Sequence, residues 1–458
     1  MEVLRIEEIV KATLGKLVNP GEGLKISGVS IDSRSINVGD MFIALKGESF
    51  DGHDFIDSAA KKGAALIIAQ KPLSGCSTPY ILVKDTYRAL QDIAGYHRNK
   101  FKIPFVAVTG SSGKTTTKDM IASVLSQKYK VLKTEGNFNN AIGMPLTLLG
   151  LRPDHEIAVL EMGMNSPGEI RLLSDIVRQD VGVITNVGIA HIEKLGSREN
   201  ILKAKLEIFS FFNKNNTAVI NGDNDMLSRL YSEKYRVIKY GLDKDNDIYA
   251  YAIEEKGEEG INFSVDLDNV KSDFCVMLPG MHNVYNALSA IAVARLFDME
   301  AESIKEGLKS FRPSKMRMDI MKLRSGIRLV SDVYNANPES MKAAIDALCS
   351  LKSEGKNICV LGDMLELGDI SGEEHYKIAM YAASSGINIL IAAGNFSDDM
   401  KKGWLASGMG SNSIFAFSSV KEAAGCIEGI ARPGDTVLVK GSRGMKMEYI
   451  VDYLCERG

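Results

Sequence analysis

Long apolar runs are missing from the 458 residues: none approaches the ~20 residues that cross a bilayer, so no stable membrane insertion is expected. No secretion leader is expected either. Met1–Val18 instead interleaves Glu and Lys in an amphipathic helix pattern, and a cytoplasmic location is expected. Neither sign of charge prevails, with 55 Lys+Arg against 58 Asp+Glu and a net charge of −3. That excludes a broad basic field and, with it, bulk nucleic-acid binding. Cysteine is sparse and scattered: Cys76, Cys275, Cys349, Cys359, Cys426 and Cys455 show no metal-ligand spacing and read as reduced, mostly buried thiols. There is no internal repeat and no low-complexity tract. What is present is an ordinary globular composition, 45% hydrophobic and 25% charged. The length exceeds one core, so two to four domains are expected.

The most informative stretch is Thr109-Gly110-Ser111-Ser112-Gly113-Lys114-Thr115-Thr116. Ile103 to Val108 leads in as an apolar run and reads as a buried parallel strand. Lys118–Gln127 leads out with Met120, Ile121, Val124 and Leu125 at helical spacing. Strand, glycine turn and helix start make a phosphate cradle, in which backbone N–H groups and the helix dipole meet an anion. Lys114 reaches the β/γ-phosphates in such a loop, and the Thr115 hydroxyl ligates Mg²⁺. The longer general pattern has glycine where this chain has Val108, so the cradle is the shortened form Gly110-x-x-Gly113-Lys114-Thr115.

The chain divides into three α/β segments. Residues 1–84 hold short strands at Gly28–Ile31, Met41–Leu45, Ala65–Ala69 and Tyr80–Val83, with a helix at Phe55–Lys62. They are expected to form a small mixed α/β N-terminal domain. Residues 85–313 alternate strands (Ile157–Leu160, Val181–Thr185, Thr217–Ile220) with helices (Thr86–Lys100, Ser166–Val177, Arg198–Phe212, His282–Phe297). Alternation of this kind predicts a central, ATPase-like P-loop domain with a parallel sheet. Pro313 marks a linker. Residues 314–458 alternate again, with strands at Leu329–Val333, Asn357–Leu361, Ile387–Ala392 and Thr436–Val439, and predict a C-terminal Rossmann-like domain.

A P-loop metal calls for a further acidic group. Glu161 ends an apolar strand, and strand C-termini share the sheet edge where ligands bind. His191 closes Asn186-Val187-Gly188-Ile189-Ala190-His191 after the next strand and is a second metal-ligand candidate. Lys205 falls within the helix that follows. Chemistry alone favours a solvated surface lysine there; the alternative is a carbamate, which turns an ammonium into an oxygen-donor anion suited to Mg²⁺. Asn283, in Gly280-Met281-His282-Asn283-Val284-Tyr285-Asn286, fits either an adenine contact or ordinary helix capping. Asp332-Val333-Tyr334-Asn335-Ala336-Asn337-Pro338, Gly362–Gly368 and Lys440-Gly441-Ser442-Arg443 all follow strands. They are expected on one edge as a second substrate surface, against a plain turn role for each.

Taken in order, these motifs resemble the ATP-dependent Mur ligases of peptidoglycan synthesis. Within that family the likeness is greatest to members that add D-alanyl-D-alanine to UDP-N-acetylmuramoyl-tripeptide. It is carried by Ile31-Asp32-Ser33-Arg34, Phe50-Asp51-Gly52-His53, Gly136-Asn137-Phe138-Asn139-Asn140 and Tyr334–Pro338. The resemblance implies ATP and Mg²⁺ as cofactors and roles that spacing does not show. Lys205 resembles a carbamylated lysine that joins Thr115, Glu161 and His191 at the metal. Arg317 resembles an arginine that meets ATP phosphates, and Asp332 a ribose contact. Ser30, Asp32, Ser33 and Arg34 resemble a surface for the UDP end. Asn137, Asn139 and Asn140 resemble contacts to the muramoyl peptide, while Asn335, Asn337 and Arg443 belong to the second substrate surface. Catalysis is expected from Lys114, Glu161, His191 and Lys205, in a monomer. Three other readings compete: a folylpolyglutamate synthase-like ligase, a P-loop ATPase that hydrolyses without ligating, and a non-catalytic UDP-sugar binder.

Overall fold

The computed structural model describes residues 1–20 and 23–457. Its framework is three successive sheets. The first runs in the order Lys16–Val18, Tyr80–Leu82, Leu66–Ala69, Asp40–Ile43, Gly28–Ser30, parallel apart from the antiparallel outer pair of Lys16–Val18 with Tyr80–Leu82. The expected single helix over Met1–Val18 is corrected here. Only Ile6–Thr13 is helical, and Lys16–Val18 is the edge strand. Leu14 ends the helix in a left-handed conformation (φ 54°). Gly15 follows, where a Cβ would lie 2.4 Å from Cγ2 of Ile81.

The central sheet has seven parallel strands in the order Ile248–Tyr249, Arg236–Gly241, Thr217–Asn221, Val181–Ile184, Phe105–Thr109, Ile157–Glu161, Val131–Lys133. Strand side chains alternate between faces. Val106, Val108, Val159 and Val183 join the helices Lys114–Leu125 and His282–Arg295 in one core. Phe105, Ala107, Leu160 and Ile184 join the helices Thr86–Asn99 and Glu169–Val177 in another. That second core also takes in Met41, Ile43, Leu66 and Ile68 of the first sheet, so the first two units share buried apolar surface. The P-loop helix begins at Lys114, four residues before the apolar pattern does, because its first turn carries the polar loop residues.

Tyr251–Glu255, Ile261–Leu267 and Val270–Val276 form an antiparallel three-stranded sheet absent from the sequence reading. The helix expected over Arg198–Phe212 ends at Leu206 and gives way to a tighter turn, Glu207–Phe209. The third sheet has the order Asp319–Lys322, Arg328–Asp332, Thr436–Lys440, Asn357–Gly362, Ile389–Ala393, Ile414–Phe417. Its outermost pair, Asp319–Lys322 with Arg328–Asp332, is antiparallel and every other pairing parallel. Separate apolar cores cover its two faces, as in a doubly wound fold.

Candidate active site between the central and C-terminal sheets

Because the strands of the central sheet are parallel, their C-terminal ends open on one edge, and the C-terminal sheet faces that edge across a cleft of about 760 Å³. The floor is the P-loop. A Cβ on Gly110 would stand 1.8 Å from Thr185 Oγ1, so only glycine allows the neighbouring strand this close. Gly113 turns left-handed (φ 75°) into the helix. The amides of Ser111 and Ser112 both donate to Asn186 Oδ1, at 3.0 and 2.9 Å, so the motif's asparagine braces the loop from behind. The amides left for an anion are those of the first helical turn, Lys114 to Thr116, which have no partner within the helix. Lys114 Nζ donates to Gly110 O at 2.8 Å. Burial pulls its pKa down, and the Glu161 carboxylate opposes that.

Glu161 is the last residue of its strand, is 2% exposed, and accepts from Asn139 Nδ2 at 2.7 Å through Oε1. Its other oxygen, Oε2, is buried and has no partner. His191 has a left-handed backbone (φ 66°), and its Nδ1 lies 2.5 Å from Glu366 Oε2 without hydrogen-bond alignment. The contact holds the Glu366 carboxyl below its ordinary value. Among the described residues no three His, Cys, Asp or Glu side chains cluster as a metal cage. Lys205 overturns the surface reading: it is 1% exposed, and none of the hydrogen bonds or ion pairs among the described residues engages its Nζ. Burial, reinforced by Lys114, drives its pKa well below the ordinary lysine value. It is not among the residues that line the cleft, but Lys114, which is, lies near enough to act on its charge.

Arg317 Nη2 donates to Thr115 Oγ1 at 2.9 Å, and its guanidinium sits 4.1 Å from the Tyr334 ring centre. Asn283 lines the cleft but does not cap its helix; its Nδ2 donates to Pro279 O at 2.8 Å. Asp332 pairs with buried Lys440 at 2.5 Å, and Lys440 also donates to Asn335 O at 3.0 Å. Asn337 caps the helix Pro338–Ser350 and donates from Nδ2 to Ser111 O at 3.2 Å across the cleft. Asn137, Asn139, Asn140, Asn335 and Arg443 also line the cleft. Ser30, Asp32, Ser33 and Arg34 do not; Ser30 ends the edge strand Gly28–Ser30 of the first sheet and the other three lie in the turn after it, where Arg34 bonds Asp32 at 2.8 Å and holds that carboxyl at about 2.

Three acidic or basic residues escaped individual notice: Glu339, Glu366 and Lys440. Each sits inside or beside a motif that was read only as a group. Glu339 Oε1 accepts from Ile189 N at 3.1 Å, and Glu366 O accepts from Glu193 N at 3.3 Å. With Asn337 and Arg317 they draw the C-terminal sheet onto the P-loop edge.

A P-loop sheet with a strand-end carboxylate and histidine, closed by a Rossmann-like second sheet, describes a class of ATP-using ligases. Three family models match the chain: "Mur ligase family, catalytic domain" at residues 25–98, "Mur ligase middle domain" at 108–294 and "Mur ligase, glutamate ligase domain" at 316–443. The chain belongs to the Mur ligase family. It is 39% identical to the UDP-N-acetylmuramoyl-tripeptide–D-alanyl-D-alanine ligase of Bacillus subtilis (strain 168), over 99% of this chain and 98% of that one. A crystal structure of MurF from Acinetobacter baumannii superposes with a TM-score of 0.92 at 32% identity, covering 100% of this chain and 99% of that one. MurF ligase from Thermotoga maritima in complex with ADP superposes at 0.82 and 29% identity, covering 93% and 97%.

Proposed function

We infer that the protein joins D-alanyl-D-alanine to UDP-N-acetylmuramoyl-tripeptide, forming ADP and phosphate, in peptidoglycan precursor synthesis. The observation that carries this reading is the closed cleft. It sets the Asn137–Asn140 loop, the P-loop and the Asn335, Asn337 and Arg443 surface around one cavity. The reading divides the chain at 84/85 and 313/314 into a UDP-binding, an ATP-binding and a dipeptide-closing unit. Ser30, Asp32, Ser33 and Arg34 hold the UDP end on the first. Among the described residues no helix is long and apolar enough to cross a membrane. A cytoplasmic monomer fits nucleotide-linked substrates.

A carboxylate and a phosphate repel, so the first step needs positive charge at the γ-phosphate. Lys114, on the loop, and Arg317, reaching over from the linker, supply it. A carboxylate oxygen of the tripeptide bonds to the γ-phosphorus as the β–γ bridging bond breaks, leaving an acyl phosphate and ADP. The neutral amine of the dipeptide then attacks the acyl carbon, the C–O bond to phosphate breaks from the tetrahedral intermediate, and the amine's surplus proton leaves with the phosphate. The residues fit Mg²⁺: Glu161 Oε2 is a buried acceptor lacking a donor, with Thr115 Oγ1 and His191 at the same edge. These donors are few, which suits an ion that keeps water and phosphate oxygens as ligands. When bound, Mg²⁺ neutralises phosphate charge. Burial draws the Lys205 pKa well down, in the direction that favours the unprotonated amine a carbamate forms from, and the carbamate would add an anionic oxygen donor. His282, Asn283 and Asp332 line the end of the cleft assigned to the nucleoside.

The test is mass spectrometry of products with ATP and both co-substrates. An amide product requiring all three is expected, and Lys114→Ala should abolish it without moving the melting temperature. ATP hydrolysis with neither co-substrate, and no amide, would favour the ATPase reading instead.

A further inference from the structure

Residues 311–318 are the covalent link between the helix Ala301–Ser310 and the first strand of the C-terminal sheet, Asp319–Lys322. The link is pinned to the P-loop helix at two points. Ser314 Oγ donates to Asp119 Oδ2 at 2.7 Å. Three residues on, Arg317 Nη2 donates to Thr115 Oγ1 at 2.9 Å. Thr115 and Asp119 are four apart on one helix and therefore share a face. Asp119 is a firm anchor: it is 6% exposed, and its Oδ1 lies 2.8 Å from Lys118 Nζ and 3.0 Å from Lys133 Nζ. Lys118, itself buried, donates to Thr134 O at 2.6 Å and ties the helix to the neighbouring strand segment.

The backbone around Arg317 is unusual. Met316 and Met318, on either side of it, have φ of 66° and 47°, the left-handed region that side chains other than glycine avoid. Such conformations persist only where surroundings over-determine them. The constraints here are the Ser314 bond on one side, and the Tyr334 amide donating to Met316 O at 3.2 Å on the other.

We propose that Asp119 and Ser314 form a latch that fixes the start of the interdomain link and thereby aims Arg317 at the nucleotide phosphates. Both are positioning residues, acting through Arg317. The inference rests on the nucleotide reading of the cleft and does not depend on which acid or amine is ligated. Ser314 is exposed and its hydroxyl is the whole contact, so Ser314→Ala removes the latch without disturbing a core.

The experiment is titration calorimetry of the full chain with a non-hydrolysable ATP analogue and Mg²⁺. Ser314→Ala should weaken binding about fivefold, equivalent to about 1 kcal/mol, and Ser314→Thr should restore it. Arg317→Ala should weaken binding by more, and adding Ser314→Ala to it should cost nothing further. Ser310→Ala, one turn earlier, serves as a control with wild-type affinity. Wild-type affinity in Ser314→Ala, or an equal penalty with and without Arg317, would overturn the latch while leaving the nucleotide site standing. A wild-type chain that binds no analogue would overturn both.

Discussion

Gly188 tests whether closure of the two sheets drives the reaction. A Cβ there would stand 2.3 Å from Glu339 Oε1 and 2.5 Å from its carboxyl carbon. The Gly188 backbone is not left-handed, so alanine meets no conformational penalty, only the carboxylate. Glu339 can swing away, and the cost is then the hydrogen bond from Ile189 N that crosses the cleft. A hydrogen bond to a charged group contributes roughly 1.5–3 kcal/mol net, which is roughly a 10- to 150-fold shift towards the open arrangement. Gly188→Ala should therefore lower kcat/KM for D-alanyl-D-alanine by at least about tenfold, the lower end of that range, with the melting temperature unchanged. Initial rates over a dipeptide concentration series measure this. In a Glu339→Ala background the acceptor is already gone, and Gly188→Ala should then cost less than about twofold. Wild-type kcat/KM in Gly188→Ala, or the same loss in both backgrounds, would refute the reasoning.

Two further expectations concern buried titratable groups. Lys205→Ala should lose most activity and regain part of it with a short carboxylic acid in the buffer. The wild type should weaken when bicarbonate and CO₂ are stripped out, because a carbamate forms from an unprotonated amine; a fully active Lys205→Ala variant would end this reading. His97, fully buried on the helix Thr86–Asn99, is pushed down to about 4 by burial from an ordinary 6.5. Between those values the unfolded chain takes up a proton that the folded chain refuses. Its contribution is intact above pH 6.5 and is lost as pH falls towards 4, by about 3 kcal/mol at most. Urea unfolding at successive pH values should show a shallower acid decline in His97→Gln than in the wild type, and equal slopes would count against it.

The P-loop, the strand-end position of Glu161 and the three-sheet plan were legible in the sequence because each follows from local order. An apolar strand, a glycine turn and a helix in succession have one parallel arrangement, and parallel strands put all their C-terminal ends on one edge. The sheet Tyr251–Val276 was not legible. Its strands mix charged and apolar residues, and antiparallel pairing across turns such as Asp268-Asn269 shows only in register.

Lys205 marks the boundary most clearly. Its neighbours Lys203 and Glu207 make the stretch look like a solvated helix face, and nothing local says which face the protein covers. Burial comes from packing the helix against the central sheet, and the lowered pKa comes from that burial and from Lys114, 91 positions away in the chain. Arg317 is similar: the sequence places it just past a proline, while its aim at Thr115 depends on the Ser314 bond and on two strained methionines. Glu339 and Glu366 gain their partners only when the C-terminal sheet closes. Sequence determined which chemistry each strand end carries, since residue type and position along a strand are local. Which strand ends face one another is a matter of distance between units far apart in the chain, and only the tertiary structure decided it.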